Sequence, residues 1–435
     1  MSGIKLVVIG GGSSYTPELA DGLLNRYHSF PVKELVLVDI ESGRKKVETI
    51  CALIGRMFDK AGLQIDVSYS FNRKKAMYRA DFIVSQFRVG GLAARSKDEM
   101  IPLKYGVIGQ ETTGPGGFAN ALRTIPVILD VCRDMEEVCP DAWLINFTNP
   151  SGMVTEAVHK HSKVKCIGLC NIPINMERAV CSYLGADKSR VNCSFAGLNH
   201  LSFIGKVCLD GRDILVNLAG TSTSTGIPVR NIPGIDLPVN FTAILGVIPS
   251  PYLKYYYLEK QMLQEEKEKF DATGKTRADE VMEVERKLFE IYADVNLYTK
   301  PKELSERGGA LYSEAAVTLM DSIWNNRSDI QVVNTVNSGC IPELPADSVI
   351  ETNCVINRGG ATPLVYGPLP DAMRGLVQQA KAYEQLAIEA AVGGNRDKAM
   401  LALINNPLIH DVSTAENILK DILDENLEYL PAFRR

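Results

Sequence analysis

No uninterrupted apolar run in the 435 residues approaches the ~18 that a membrane-spanning helix needs, so no such helix is expected. Basic excess is missing too. The 47 Lys and Arg against 52 Asp and Glu leave a net charge of −5, which excludes the broad cationic footprint of a nucleic-acid binder. An anionic ligand would therefore need arginine or lysine supplied locally. Ten cysteines occur without a CxxC pair or a disulfide-like spacing, in a chain long enough to build its core unaided. That usage points to a reducing compartment, and the cytoplasm is the expected location. The apolar stretch Ile4–Ile9 runs directly into glycines, so it does not read as a signal peptide. No internal repeat is evident.

What is present is alternation. Short apolar runs at 4–9, 34–39, 65–69, 81–86, 142–147 and 165–169 alternate with helix-like segments, including 17–26 and 42–60. Strands alternating with helices predict βαβ units and a buried parallel sheet. Beyond about residue 195 the pattern changes. Residues 218–250, rich in Gly, Ser, Thr, Pro and Asn, read as a long loop, and 252–293 as strongly helical. Strand-like pieces return near 330–336 and 349–356, and helices fill about 369–425. The expected fold is α/β: a Rossmann-like dinucleotide-binding domain over 1–195, then a mixed α/β domain over 196–435.

The first strand ends in Gly10–Gly11–Gly12–Ser13–Ser14–Tyr15. Close approach of a backbone to a pyrophosphate requires residues without a Cβ, at a helix N-terminus that favours the anion. Gly10 and Gly12 match the first two fingerprint glycines, and Tyr15 replaces the third. Asp39 ends the second strand, where a carboxylate can accept hydrogen bonds from a ribose and disfavours the extra phosphate of NADP. It lies 27 residues past Gly12, longer than the common spacing of roughly 20. A plain tight turn between strand and helix would use the same glycines. Cys170 follows the strand-like run 165–169, and His200 closes Gly197–Leu198–Asn199–His200. A thiolate and an imidazole can share a divalent metal with positions left for substrate. By spacing alone the pair forms no local motif, and a buried cysteine with an ordinary histidine would look the same.

The chain resembles glycoside hydrolase family 4 along nearly its whole length. The resemblance is carried by Phe87–Arg88–Val89–Gly90–Gly91 with Arg95, by Ile101–Pro102–Leu103–Lys104–Tyr105–Gly106, and by Gly109–Gln110–Glu111–Thr112 with Gly114–Pro115–Gly116–Gly117. Asn146–Phe147–Thr148–Asn149–Pro150, Cys170–Asn171–Ile172–Pro173, Asn199–His200 and Pro251–Tyr252–Leu253 complete it. The segment Cys170–Pro173 resembles the 6-phospho-β-glucosidase branch. The resemblance implies an architecture like that of lactate and malate dehydrogenases, with an NAD cofactor bound by Gly10, Gly12, Ser13, Ser14 and Asp39. It implies Mn²⁺ or another divalent metal on Cys170 and His200. It also implies cleavage of a phosphorylated disaccharide or aryl β-glucoside to glucose 6-phosphate and an aglycone, by a chain that forms a homo-oligomer, dimer or tetramer.

This NAD-dependent family stands outside the two-carboxylate rule of glycosidases. The implied route is redox–elimination–addition: hydride leaves C3 for NAD⁺, the C2 proton becomes acidic, a base removes it, and the C1–O bond eliminates. Water then adds at C1 and the hydride returns. By position, Tyr252 matches the C2 base and Glu111 the residue that makes it more basic. Arg95, Asn149 and Arg277 match contacts to the sugar phosphate. Tyr252 opens an aromatic cluster that could be packing, and Arg277 starts a helix of alternating charge that could be a solvated face. Asn171 stands where α-acting relatives carry an aspartate proposed as proton donor, so no general acid is assigned. Two rivals stand beside this reading: a conventional NAD-dependent 2-hydroxy acid dehydrogenase, for which five histidines offer few His–Asp pairs, and a non-catalytic NAD-binding sensor.

Overall fold

The apolar runs of the first third line up side by side in one nine-stranded sheet. The computed structural model describes residues 3–215, 237, 241–307 and 312–434. Strands β1 (Ile4–Ile9), β2 (Val32–Val38), β3 (Asp66–Ser70), β4 (Phe82–Ser85), β5 (Trp143–Asn146) and β6 (Lys165–Gly168) are mutually parallel. Their order, β3-β2-β1-β4-β5-β6, is that of the doubly wound dinucleotide-binding fold.

The strands are apolar throughout because both faces are covered. In β1, Leu6 and Val8 enter one core with the helix Arg44–Lys60, while Val7 and Ile9 enter another with the helix Gly114–Val138. Alternate residues of a strand point to opposite faces, so one run of six residues serves two cores.

After β6 the chain makes the hairpin β7 (Val191–Leu198) and β8 (Leu201–Leu209), with β9 (Arg212–Asp213) and β10 (Ile248–Pro249) pairing on β8 as a second sheet. The sequence reading assigns no strands here, because Gly197, Asn199 and His200 interrupt the apolar pattern. Strands β11 (Asp329–Val336), β12 (Val349–Asn357) and β13 (Gly360–Pro363) then return to the large sheet and extend it antiparallel beyond β6.

Of the expected loop 218–250, residues 218–236 and 238–240 lie outside the described residues, and Phe241–Leu245 is a short helix. The expected helix over 252–293 is divided. Gly274, at φ +64°, ends the helix Glu259–Thr273 in the left-handed conformation, and Thr276 starts the helix Arg277–Tyr292 with a reciprocal capping box to Asp279. The terminal third forms helices Asp371–Gly393, Arg396–Asn405 and Val412–Glu425. No described helix is long and apolar enough to cross a membrane.

Candidate active site

One cleft of about 1690 Å³ opens at the carboxyl ends of the parallel strands. Ligands gather at this end in open α/β sheets. Gly10, Gly12, Ser13, Asp39, Arg95, Glu111, Asn149, His200, Tyr252 and Arg277 all line it, together with Tyr15, Arg88, Asn171 and Arg307. Ser14 is fully buried behind the wall, its hydroxyl donating to Glu285 at 3.3 Å. Cys170 also sits just behind the surface, 5% exposed, while the next two residues reach the cleft.

At one end lies the glycine loop. Asp39 accepts the Gly12 N–H at 2.7 Å and the Ile40 N–H at 2.8 Å, one on each carboxylate oxygen. A Cβ on Gly12 would stand 2.7 Å from Asp39 Oδ2, so only glycine lets the loop fold onto the acid. The acid and the cradle are thus one unit, and each oxygen keeps lone pairs for a ribose hydroxyl. Tyr15, at the third fingerprint position, turns its ring under the Arg307 guanidinium, 4.9 Å away.

In the middle lies a knot of charge. Glu111 gives one oxygen to Arg88 and the other to Arg95 Nη1 at 3.0 Å. Arg95 Nε is also held by Glu99 at 2.8 Å, and the other oxygen of Glu99 accepts the Ala278 N–H at 2.8 Å. Glu99 therefore ties Arg95 to the helix start that carries Arg277. Arg277 pairs with Glu280 at 2.9 Å, and its side chain is 38% exposed. It is a charged helix-face residue and a cleft residue at once. Burial alone would raise the Glu111 carboxyl, but Arg88, Arg95 and Arg307 outweigh it and hold the group below its ordinary range. The loop carrying Glu111 lies so close to the next helix that a Cβ on Gly116 would meet the Gln110 carbonyl at 2.3 Å.

At the far end the phenol of Tyr252, the imidazole of His200 and the thiol of Cys170 come together. The Tyr252 ring stacks flat on His200, with centroids 3.8 Å apart and planes 9° apart, and it packs against the apolar cluster that contains Cys170. Thr112, the neighbour of Glu111, stands beside its hydroxyl, while both Glu111 oxygens are occupied by arginines. Burial pushes the His200 imidazole down to about 4, the charge of Glu111 opposing weakly. Burial, then the proximity of Glu351, drives the Cys170 thiol far up. The Tyr252 phenol is raised well above its usual value by burial, then by Cys170 and Glu111. His200 is held at φ +63° in the two-residue turn between β7 and β8, a conformation that costs a non-glycine residue on the order of 1–2 kcal/mol.

Comparison with known proteins identifies the lineage. Residues 5–186 match the family model described as family 4 glycosyl hydrolase, and 195–409 match that of its C-terminal domain. A Bacillus subtilis protein named "probable 6-phospho-beta-glucosidase" is 49% identical over 99% of this chain and 98% of its own. The chain belongs to the family 4 glycosyl hydrolases. An Escherichia coli 6-phospho-beta-glucosidase is 42% identical over 99% of this chain and 97% of its own. The crystal structure of the Thermotoga maritima 6-phospho-beta-glucosidase with manganese, NAD⁺ and glucose-6-phosphate superposes with a TM-score of 0.87 at 37% identity, covering 98% and 99% of the two chains. A lactate dehydrogenase from a deep-sea metagenome shares the fold at a TM-score of 0.55 and 14% identity, over 90% of this chain and 100% of its own. The expected dehydrogenase-like architecture is therefore present in this family 4 chain, and the likeness extends to fold alone.

Arg88 and Arg307, which both face Glu111, carry no assignment in the sequence reading of this glycosyl hydrolase. Arg88 stands just past the carboxyl end of β4, a position the strand-end rule could have singled out. Arg307 has no motif around it. Tertiary packing over Tyr15 is what brings it in.

Proposed function

We propose that this chain is a 6-phospho-β-glucosidase, hydrolysing a 6-phosphorylated β-glucoside to glucose 6-phosphate and an aglycone in an NAD- and divalent-metal-dependent reaction. The observation that carries the reading is one continuous cleft joining a glycine–aspartate cofactor loop, an arginine cluster, and a Cys–His–Tyr wall. The names of the relatives and the ligands of the Thermotoga maritima structure support it. All ten cysteines are free thiols, which supports a reducing compartment such as the cytoplasm.

When bound, NAD⁺ and a divalent cation supply a hydride acceptor for C3 of the sugar and a Lewis acid for its C2 and C3 oxygens. The chain's own residues do the rest. Gly10, Gly12, Ser13 and Ser14 give the cofactor a close backbone cradle, and Asp39 accepts from its ribose. Arg95, Asn149 and Arg277 seat the 6-phosphate, for which forked guanidinium donors are suited. The thiol of Cys170 and the imidazole of His200 are a donor set that fits a cation such as Mn²⁺ or a neighbouring divalent metal. Among the described residues no three His, Cys, Asp or Glu side chains group into a ready-made metal site, and two protein ligands leave positions for sugar oxygens.

Tyr252 accepts the C2 proton, and Glu111, pinned between two arginines, keeps a negative charge near it. In this division residues 1–195 carry the cofactor and residues 196–435 supply His200, Tyr252 and Arg277. The dehydrogenase alternative is not favoured. His200 stacks on a tyrosine, and His410, which does pair with an acid, meets Glu259 on the surface, 66% exposed.

The deciding assay is release of nitrophenol from 4-nitrophenyl β-glucoside 6-phosphate. Activity is expected only with both NAD⁺ and Mn²⁺ present, to be lost reversibly on chelation, and without net NADH. Full activity after dialysis and EDTA would overturn the reading, and stoichiometric NADH would favour the dehydrogenase.

A further inference from the structure

Glu351, on β12, is 1% exposed, and no lysine, arginine or histidine forms an ion pair with it among the described residues. Its carboxyl is instead gripped by neutral donors: Ser202 Oγ at 2.6 Å, Asn199 Nδ2 at 3.1 Å and Asn334 Nδ2 at 3.4 Å. Buried acids are ordinarily paired with a cation, because an isolated charge in a dry interior is costly. Elsewhere in this molecule the rule holds: the fully buried Glu156 meets Lys381 at 2.8 Å and Lys160 at 2.7 Å.

Asn199 links this acid to the Cys–His wall in two ways. Its side-chain amide donates to Glu351 at 3.1 Å and lies beside the Cys170 thiol. Its backbone leads directly into His200, the strained member of the two-residue turn. The Asn199 Cβ also lies only 3.1 Å from where a Cβ on Gly152 would stand, so the side chain is wedged against the helix Ser151–His161.

We propose that Asn199 and Glu351 are positioning residues for the divalent-metal centre: Glu351 fixes the Asn199 amide, which holds the Cys170 sulfur and the His200 turn in the geometry that binds the cation. This rests on the reading of Cys170 and His200 as its ligands. Partners that orient metal ligands commonly contribute ten- to a hundred-fold in affinity. Asn199 and Glu351 touch neither sugar nor cofactor in this assignment, so they act only through the ligands.

The test uses the full-length protein, stripped of metal and titrated with Co²⁺, whose thiolate-to-metal absorption band reports the sulfur bond directly. Wild type should develop the band. Asn199→Ala should weaken Co²⁺ and Mn²⁺ binding by about ten- to a hundred-fold and shift the band, while NAD⁺ affinity holds. Glu351→Gln, which keeps the shape but offers one acceptor instead of two, should show a smaller loss in the same direction. It decides the matter if Asn199→Ala does not fold. Wild-type affinity and an unshifted band in the folded variants would overturn the proposal. Absence of the band in wild type would instead overturn the ligand assignment on which it stands.

Discussion

The two ends of the cleft beyond the glycine loop are built on opposite electrostatic plans. Around Glu111 the charge density is high and compensated: Arg88, Arg95 and Arg307 surround one carboxylate, and Arg277 stands beside them. Around Tyr252 the thiol, imidazole and phenol are each driven by burial toward the neutral form. At the first end Arg95 and Arg277 are also tied to Glu99 and Glu280, and their forked donors suit a dianionic phosphate. Among the described residues no lysine, arginine or histidine pairs with the buried Glu351 behind the second end, and burial raises its carboxyl. Desolvation is the common cause. Away from water a charge persists only with a partner, so the first end keeps its charges in pairs and the second keeps its groups toward the neutral form.

The strongest way to break this comparison is Tyr252→Phe, which keeps the ring stacked on His200 but removes the group assigned to take the C2 proton. Turnover of the phosphorylated nitrophenyl substrate should fall by about 10²–10⁴-fold. Deuterium uptake at C2 of product formed in D₂O should disappear with it. Near-normal turnover, with C2 still exchanging, would move the base away from the neutral end.

Arg277→Ala probes the charged end. Losing one charge-assisted contact should lower kcat/KM for the 6-phosphorylated substrate by about 1.5–3 kcal/mol of transition-state binding. Mn²⁺ affinity measured without substrate should stay as it is, because the two ends are separate in function. An unchanged kcat/KM would remove Arg277 from the phosphate site.

Glu156→Gln sharpens the contrast between charge paired inside the cleft and charge paired away from it. Burial would raise the Glu156 carboxyl, but Lys381, Lys160 and the Val349 N–H overcome it and bring the group down to about 2. A carboxylate depressed in the folded state stabilises above its unfolded pKa, and that stability is lost as pH falls from about 4.5 through 2. At pH 7 the substitution should therefore cost about 3 kcal/mol in urea unfolding, and the gap to wild type should close on acidification through that window. Because the cluster lies outside the cleft lining, kcat should hold while stability drops. A loss of kcat in folded enzyme would show that this cluster too is tuned for the reaction.

Much of the scaffold was legible without coordinates. The six parallel strands form at nearly the positions where apolar runs occur, since a strand covered on both faces has to be apolar along its length. Glycine and aspartate at the ends of β1 and β2 were readable because a close backbone approach admits few residue types. Cys170, His200 and Tyr252 were different. Their spacing carried no motif, and they were singled out by resemblance. The hairpin β7–β8 and the packing of Tyr252 on His200 are what bring them together. Arg307 was not legible at all, because nothing local distinguishes an arginine above a tyrosine ring from one in solvent.

By itself, then, the sequence determined the order and kind of the elements of the first third and the glycine turn, which rest on local rules of periodicity, sterics and hydrogen bonding, and it carried the family pattern. Only the tertiary structure decided that β11–β13 extend the large sheet antiparallel beyond β6, that Glu99 ties Arg95 to the start of the Arg277 helix, and that Glu351 holds the Asn199 amide next to the His200 turn. These are contacts between residues far apart in the chain. Their partners are selected by burial and charge compensation, which depend on the closed shape of the whole molecule and leave no periodic trace along the chain.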